Sequence, residues 1–303
     1  MRPKHWTHDR DVFYKFATRS TTKSVLRNRT LRFSSPRLFN DPFDIQFDLY
    51  VEFDYERAEH RILSQLWEAH YAEVPPAPGN ELGRLIAVFR DRFPRLNRDE
   101  FGKEFGLAVR SGLATINKNV ALSQIEFKRQ LADAKVLCLS EVNHNLLMWS
   151  HYSEHHKGAV LEFRCVEELD SVFGAALPVR YCERMPLLFD EDFIVRMGSG
   201  QASINVAEIF AKAVYSKAID WAYEKEWRLV GGRTGAEKDY EDNSFHQQEL
   251  LAIYLGCQMP DEDRFEIIDL VTRRFPHSRI FQAVKQPREF SLTFREIVPS
   301  LVA

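Results

Sequence analysis

Two hydrophobic periods alternate along the chain, and this alternation most constrains its fold. From about residue 54 to residue 134, apolar residues recur at the spacing of one helix face, as in ERAEHRILSQLWEAHY. Before and after this stretch, short apolar or β-branched runs such as TLRFS, VLCLS and LLAIYLG have the length of strands. The pattern predicts an α+β fold with a central, mainly antiparallel sheet that forms a cleft, flanking helices and a helical insertion.

The same change of period sets the expected boundaries. Residues 1–53 are expected to form the N-terminal part of the α+β core, residues 54–134 a helical insertion, and residues 135–303 the remainder of the core. Helices are expected in the core near Thr21–Arg27, Leu146–Tyr152, Ile204–Tyr215 and Asp261–Phe275. Strands are expected at Val12–Phe16, Thr30–Ser34, Val136–Ser140, Gly158–Phe163, Leu177–Tyr181, Glu226–Val230 and Leu250–Gly256, and in the segments RIFQAV and EFSLTF.

Charge and composition narrow the class of protein. The formal net charge is -3, so no excess of positive charge indicates nucleic acid or an anionic membrane as a partner. The four cysteines include no CxxC pair, which is typical of buried thiols in a reducing compartment. The chain has no run of ~18 apolar residues, and MRPKHWTHDRDVFYKF has no apolar signal core. We therefore expect a cytoplasmic protein without a membrane partner.

The segment LLMWSHYSEHHKGAVLEF, residues 146–163, concentrates histidine and aromatic residues between two apolar runs. His151 and His155 are four residues apart and would share one face of a continuing helix, as two zinc ligands require. However, the acid of an HExxH motif is missing, and no later pair of cysteines or histidines completes a ligand set. We therefore expect no metal, with His155 facing water and with Lys157 and Gly158 ending the segment in the manner of a helix C-terminus.

The segment YEKEWRLV, residues 223–230, carries two glutamates two residues apart. In a strand, Glu224 and Glu226 would point to one face, whereas Lys225 and Trp227 would point to the other. Neighbouring carboxylates repel and raise each other's pKa, so the pair indicates a partner such as a ligand hydroxyl or a cation. The same spacing also fits a solvent-exposed edge strand.

Two early segments, VFYKFA and RFSSPRLFNDPFD, carry further polar candidates. Lys15 lies among aromatic residues, and it either extends its charged end out of an apolar strand or contacts a ligand. Asn40 and Asp41 either turn the loop or reach a site.

These segments together, with CLSE before the histidine segment, occur in an order that resembles the uncharacterised bacterial family DUF2971. The resemblance runs from about Tyr14 to Gly256 and is interrupted by the helical stretch after Tyr50. The family carries no assigned activity.

The chain also shows a more distant similarity to the ADP-ribosyltransferase group, whose members bind NAD in a cleft between two small antiparallel sheets. This similarity implies that Glu226 holds the nicotinamide-side ribose and that Glu224 activates an acceptor nucleophile. It also implies that Tyr152 or Trp149 stacks on the nicotinamide ring. Lys15, with Arg19 next, is the nearest counterpart of the first-motif cation, and the Ser-Thr-Ser motif of the group has no counterpart. The further residues expected near the ligand are Tyr14, Asn40, Asp41, His151, Lys157 and Arg228.

Three functions follow from these interpretations. The first is an NAD-consuming ADP-ribosyltransferase-like or NAD glycohydrolase-like enzyme, such as a toxin or phage-defence effector, with NAD as substrate and a protein, nucleic acid, small molecule or water as acceptor. The second is a non-catalytic sensing or interaction module, in which Phe39, Phe43, Trp149, Tyr152 and Trp227 form one aromatic core. The third is a metal-dependent hydrolase or nuclease that uses His151, His155, Asp41, Asp44 and the glutamate pair. No Rossmann or P-loop glycine motif occurs, which disfavours the common nucleotide folds.

Overall fold

The computed structural model describes residues 3–45, 50–231 and 238–298. The chain divides into two compact units. We call the first the sheet unit; it comprises the described parts of Met1–Ile45, Ala132–Arg184 and Tyr215–Ala303. We call the second the helical unit; it comprises the described parts of Gln46–Leu131 and Met185–Val214.

The sheet unit contains the strands and three α-helices. Its strands are β1 (Val12–Ala17), β2 (Thr30–Ser34), β3 (Lys135–Ser140), β4 (Ala159–Arg164), β5 (Leu177–Pro178), β6 (Arg180–Cys182), β7 (Ser216–Ala218), β8 (Glu226–Gly231), β9 (Tyr240–Ser244), β10 (Leu250–Leu255), β11 (Arg279–Lys285) and β12 (Leu292–Ile297). Its helices are α1 (Arg19–Asn28), α5 (Leu146–Tyr152) and α8 (Asp261–Arg274), and a 3-10 helix spans Ile219–Glu224.

The main sheet has the strand order β12-β11-β10-β4-β1-β3-β2-β9, and β8 pairs with both β3 and β5. Strands β10 and β11 run parallel, whereas the other neighbouring pairs described in this sheet run antiparallel. Strand β4 lies between β1 and β10, and its residues Ala159–Phe163 are all buried. A central strand covered on both faces needs a nearly continuous apolar run, which explains the sequence AVLEF.

Helix α1 packs beside α8 in the sheet unit. It begins after Thr18, whose side chain accepts a hydrogen bond from the Thr21 amide, and it buries Thr22, Val25 and Leu26. Ion pairs also link the two helices, because Lys23 contacts both Asp263 and Glu266. The contact between the two helices therefore includes charged groups as well as the buried side of α1.

The helical unit contains α2 (Tyr55–Tyr71), α3 (Glu81–Arg92), α4 (Arg98–Asp133), α6 (Glu191–Gly198) and α7 (Val206–Val214). In α2, the buried residues Ala58, Ile62 and Leu66 recur every four positions, so they form one apolar stripe. Ile194 and Val195 of α6 belong to the same core. Among the described residues, no helix combines the length and the apolar character needed to cross a membrane.

The α+β fold with a mainly antiparallel sheet is confirmed. Helix α5 has the predicted bounds, and β2 does as well. Three elements were missed: β7 is only three residues long, the strand YEDNS has no apolar alternation, and the first turn of α6 is strongly acidic. The segment Leu177–Tyr181 was expected as one strand, but it forms parts of β5 and β6, which lie in different ladders. The segment Met185–Val214 belongs to the helical unit.

Substituting Gly158 should destabilise the protein, because β1 passes close to this residue. A Cβ at Gly158 would lie 2.1 Å from the Ala17 carbonyl oxygen, a backbone atom that cannot move independently. We expect Gly158→Ala to lower the free energy of unfolding by about 1–3 kcal/mol, as overpacking does. Gly102→Ala is the control, since a Cβ there meets nothing within 4 Å and a helix favours alanine. Denaturation followed by circular dichroism measures both variants; equal stability of Gly158→Ala and the native chain would contradict the close approach.

Candidate functional site

A fork in the sheet creates an opening next to several of the predicted site residues. Strand β1 pairs with β3 only at Tyr14 and Ser140, and β2 pairs with β3 only at Ser34 and Val136. Between these two points, the carbonyl of Cys138 accepts a hydrogen bond from Lys15 Nζ at 2.9 Å. A side chain thus satisfies a backbone group that a sheet ladder would normally satisfy.

A cavity of about 380 Å³ lies at this fork, and we call it the fork pocket. This volume falls in the ~300–1,000 Å³ range of small-molecule sites. Its lining comes from β1, β2, β3, β7, α5, the segment after β2, the 3-10 helix before β8 and β8 itself. The lining residues are Tyr14, Lys15, Phe16, Arg32, Ser34, Leu38, Phe39, Asn40, Asp44, Val136, Cys138, Leu139, Ser140, Met148, His151, Tyr152, Lys217, Glu224 and Glu226.

The two glutamates reach the fork pocket by a different backbone path from the one expected. Glu226 is the first residue of β8, but Glu224 is the last residue of the preceding 3-10 helix. Lys225 between them has the left-handed conformation, with φ of 45°. The premise of one continuous strand is therefore wrong. The alternative interpretation, a solvent-exposed edge strand, is wrong as well, since Glu224 and Glu226 are 3% and 4% exposed.

A buried cluster of charges holds both glutamates in place, and we call it the acid–base cluster: Asp44, Lys217, Glu224, Glu226 and Arg228. Arg228 is fully buried; its Nε donates to Glu226 Oε1 at 2.7 Å, and its Nη2 donates to Asp44 Oδ2 at 2.7 Å. Lys217 Nζ lies 2.5 Å from Glu224 and 2.9 Å from Glu226. The two glutamates indicated a partner such as a cation, and Lys217 and Arg228 of the same chain provide that positive charge.

The two glutamates differ in their pKa. Burial alone would raise the pKa of Glu226, but the adjacent charges of Arg228 and Lys217 outweigh it and hold that pKa well below its usual range. For Glu224, burial has the larger effect and the pKa is raised, although Lys217 partly offsets the shift. One carboxyl group of the pair is thus held ionised, while the other binds a proton more readily.

The carboxylates keep Lys217 protonated. Burial disfavours its charge, but Glu226, Glu224 and Asp44 outweigh burial and raise the pKa of the ammonium group. A lysine acts as a nucleophile only when it is neutral. Lys217 is therefore suited to orienting carboxylates and not to forming a covalent intermediate.

Helix α5 places Tyr152 against the acid–base cluster. The Asn145 side chain caps the helix by accepting from the Met148 amide, and the Tyr152 hydroxyl donates to Glu224 Oε1 at 2.6 Å. Burial and the charge of Glu224 raise the pKa of Tyr152, so this hydroxyl remains a donor. On the other side, the Tyr181 hydroxyl accepts from the Glu226 amide at 2.8 Å.

Seven of the sequence-predicted site residues line the fork pocket: Tyr14, Lys15, Asn40, His151, Tyr152, Glu224 and Glu226. His151 is exposed, and its Nδ1 lies 3.2 Å from the Tyr223 hydroxyl. Arg228 does not line the pocket but contacts it through Glu226. Arg19, the second candidate for a first-motif cation, pairs with Glu154 and Asp263 instead.

Besides Arg228, three predicted residues lie outside the lining. Trp149 is fully buried; its indole Nε1 donates to the Asn143 carbonyl at 2.7 Å, and its ring stacks on His156. Lys157 is exposed in the turn after α5. Asp41 is buried and accepts from the Phe43 amide at 2.9 Å, so it shapes its own loop. An apolar helix face and turn chemistry explain these positions better than contact with a ligand does.

The histidine pair does not form a helical metal motif. Helix α5 ends at Tyr152, and Glu154, His155 and His156 all have positive φ, so His151 and His155 share no helix face. Within residues 3–45, 50–231 and 238–298, no three His, Cys, Asp or Glu side chains are grouped so that they could hold a metal ion. The Lys217 ammonium lies among the three acids of the acid–base cluster. The expectation that Phe43 belongs to one aromatic core with Phe39, Trp149, Tyr152 and Trp227 is also wrong, since Phe43 is 65% exposed.

Lys217 is the main site residue that sequence reasoning missed. It lies on the three-residue strand β7, too short to give a periodic signal, and only the tertiary fold brings it to the glutamates. The one sequence signal for Lys217 was the pair Glu224 and Glu226, because two neighbouring acids indicate a cation from elsewhere in the chain.

A family model described as Protein of unknown function (DUF2971) matches residues 148–229. The resemblance to this family is therefore confirmed over the segment that runs from α5 to β8. It includes Tyr152, Lys217, Glu224, Glu226 and Arg228. No curated protein and no solved structure shows significant similarity to the chain.

Replacing Arg228 should be strongly destabilising. Arg228→Leu would leave Asp44 and Glu226 buried without their guanidinium partner, at a cost of about 3–5 kcal/mol in unfolding free energy. Arg279→Leu is the matched control, because Arg279 pairs with Glu296 at the surface and such pairs contribute at most ~1 kcal/mol. Urea denaturation measures both variants. Similar losses in the two would show that the buried pair has no special role.

The opposite pKa shifts predict opposite pH dependences for two variants. The stability that ionised Glu226 contributes is present above about pH 4.3 and is lost as pH falls towards its lowered pKa. The contribution of Glu224 is present below about pH 4.3 and is lost as pH rises through its raised pKa. Between about pH 3.5 and pH 7, the native chain should therefore gain stability relative to Glu226→Gln and lose it relative to Glu224→Gln. Urea midpoints across this range test the contrast; slopes of the same sign would refute it.

Proposed function

We propose that this chain is an NAD-consuming enzyme, either ADP-ribosyltransferase-like or NAD glycohydrolase-like, and that the nucleotide binds in the fork pocket. The observation that supports this most is that Glu224 and Glu226 face one cavity with opposite pKa shifts. Such a pair provides one group that accepts a proton and one fixed negative charge.

The proposed reaction breaks the bond between ribose C1′ and the nicotinamide nitrogen. Nicotinamide leaves with the bonding electron pair, and positive charge develops on the ribose as an oxocarbenium-like state. An acceptor oxygen, from water or from a hydroxyl group, then bonds to C1′ and gives its proton to Glu224. This assigns Glu224 the role of general base.

The charge of the acid–base cluster supports this chemistry. With all three acids ionised, three negative and two positive charges leave a net charge of -1 next to the fork pocket. A fixed negative charge in a largely buried site stabilises developing positive charge more than water does. Both oxygens of Glu226 accept hydrogen bonds from Arg228, which fixes the carboxylate before the substrate arrives.

The rest of the fork pocket suits a nucleotide-type molecule. Because Trp149 belongs to the core, Tyr152 is our candidate for stacking on the nicotinamide ring. Lys15 can donate to ribose or phosphate oxygens as a charged donor. Acting on a protein, on nucleic acid or on water, this chemistry would suit a toxin or a phage-defence effector, and we expect it in the cytoplasm.

The buried position of Arg228 favours one alternative. A fully buried arginine bonded to two acids is also what a purely structural ion pair looks like, so a non-catalytic sensing module would have the same cluster. In that case the fork pocket would bind a small molecule without changing it. The variants below separate these two functions.

Glu224→Gln should abolish NAD cleavage while the protein remains folded. The glutamine side chain would keep an acceptor for the Tyr152 hydroxyl but could not take up a proton, so we expect nicotinamide release to fall by about 10²–10⁴-fold. The control is Glu162→Gln, a buried acid that accepts from the Tyr254 hydroxyl and lies outside the pocket lining. Chromatography of released nicotinamide and thermal melting are measured on the same samples.

Cleavage that persists in Glu224→Gln would reject this residue as the base. A native protein that binds NAD by calorimetry but releases no nicotinamide would instead support the sensing module. Loss of activity accompanied by an equal loss of melting temperature in both variants would assign the acids a structural role only.

A further inference from the structure

A second cavity of about 440 Å³ adjoins the fork pocket in the sheet unit. The two cavities share Lys15, Phe16, Arg32, Ser34 and Tyr152 as lining residues. The second cavity extends from these residues along α1, β2 and β9. We call it the hydroxyl groove, and it is defined beyond the shared residues by Thr18, Ser20, Thr21, Ser24, Thr30 and Asp242.

Hydroxyl groups dominate the polar lining of the groove. Five serines and threonines, in addition to the shared Ser34, line this one cavity from α1, its N-cap and β2. Each hydroxyl can donate one hydrogen bond and accept two. The Thr18 hydroxyl already accepts from the Thr21 amide and donates to the Thr21 hydroxyl, and the remaining capacity suits an oxygen-rich ligand. Asp242 is the groove's one acidic lining residue among those the structure describes, and Arg32 binds it through Nε at 2.9 Å and Nη2 at 3.1 Å.

Two cations stand where the cavities meet. Lys15 donates one hydrogen bond to the Cys138 carbonyl and forms no ion pair with any described residue, which leaves two ammonium donors available. Arg32 lies over Tyr240, with Cζ 3.7 Å from the ring centroid. The Asp242 carboxylate accepts hydrogen bonds from Nε and Nη2 of Arg32, whereas Nη1 of Arg32 has no partner among the described residues.

Charge therefore changes sign along the joined cavities. The acid–base cluster carries -1 when its acids are ionised, while Lys15, Arg32 and Asp242 sum to +1 at the junction. Opposite charges within a few ångströms attract strongly in a partly buried site. A ligand with one cationic end and one anionic end would thus be oriented by the site.

We propose that the hydroxyl groove binds the diphosphate part of a nucleotide, so that the ligand extends from the glutamates across Lys15 and Arg32 into the groove. The orientation of the ring end rests on the proposed function, because it assumes that the bond next to Glu224 is the one cleaved. The groove itself is assigned by its own hydroxyls and cations.

Calorimetric titration with ADP, compared with adenosine, tests the groove without any reaction. The diphosphate of ADP should make it bind more tightly than adenosine, and added salt should reduce this advantage. Lys15→Met and Ser24→Glu should each weaken ADP binding by at least about 10-fold, by removing a charged donor or by adding a repelling charge. Ser24 is exposed and lines only the groove.

Gln248→Glu is the matched control, because it adds the same charge at an exposed residue of the sheet unit that lies outside both linings. It should change ADP affinity by less than about 2-fold. Failure of native protein to bind ADP at about 1 mM, or equal ADP affinity in native protein and Ser24→Glu, would overturn the assignment.

The outcomes separate this inference from the proposed function. If ADP binding depends on Lys15 and Ser24 but NAD is not cleaved, the groove assignment stands and the enzymatic proposal fails. If NAD cleavage depends on Glu224 but ADP binding is insensitive to Ser24→Glu, the enzymatic proposal stands and the groove assignment fails.

Discussion

The buried guanidinium of Arg228 is the interaction on which the site depends. It lies between Asp44 and Glu226, fully removed from water. Taking these charges out of water costs several kcal/mol for each ion, and only close pairing offsets that cost. Arg228 therefore determines the positions of the Asp44 and Glu226 carboxylates. Lys217 extends the arrangement to Glu224, which in turn holds Tyr152. The polar wall of the fork pocket is thus one connected set of hydrogen bonds.

The fork itself arises because two strands compete for one edge of β3. Strand β1 takes one end of that edge and β2 takes the other, so the Cys138 carbonyl between them would have no strand partner. Lys15 satisfies it with a side chain. A sheet that opens in this manner gains a concave surface between its own strands. This explains how a cleft can form inside a large and otherwise well-paired sheet.

The sequence predicted the elements with strong periodicity and missed those defined by tertiary contacts. The spacing of apolar residues predicted α5, and the short apolar runs VLCLS and EWRLV predicted β3 and β8. Trp149 was assigned to the ligand because aromatic residues serve both cores and sites, and spacing does not distinguish the two. The left-handed Lys225 could not be foreseen, since lysine has no preference for that conformation. Lys217 gave no local signal.

Long sequence separations within the acid–base cluster affect how the protein matures. Asp44 and Arg228 are 184 residues apart, and Tyr152 is 72 residues from Glu224. Strand β1 likewise pairs with β3 and β4, which come much later in the chain, so the sheet unit depends on contacts between distant parts of the sequence. Chains dominated by such distant contacts fold slowly. During synthesis, the pocket cannot be completed until β8 has left the ribosome, so nascent chains would lack a working site.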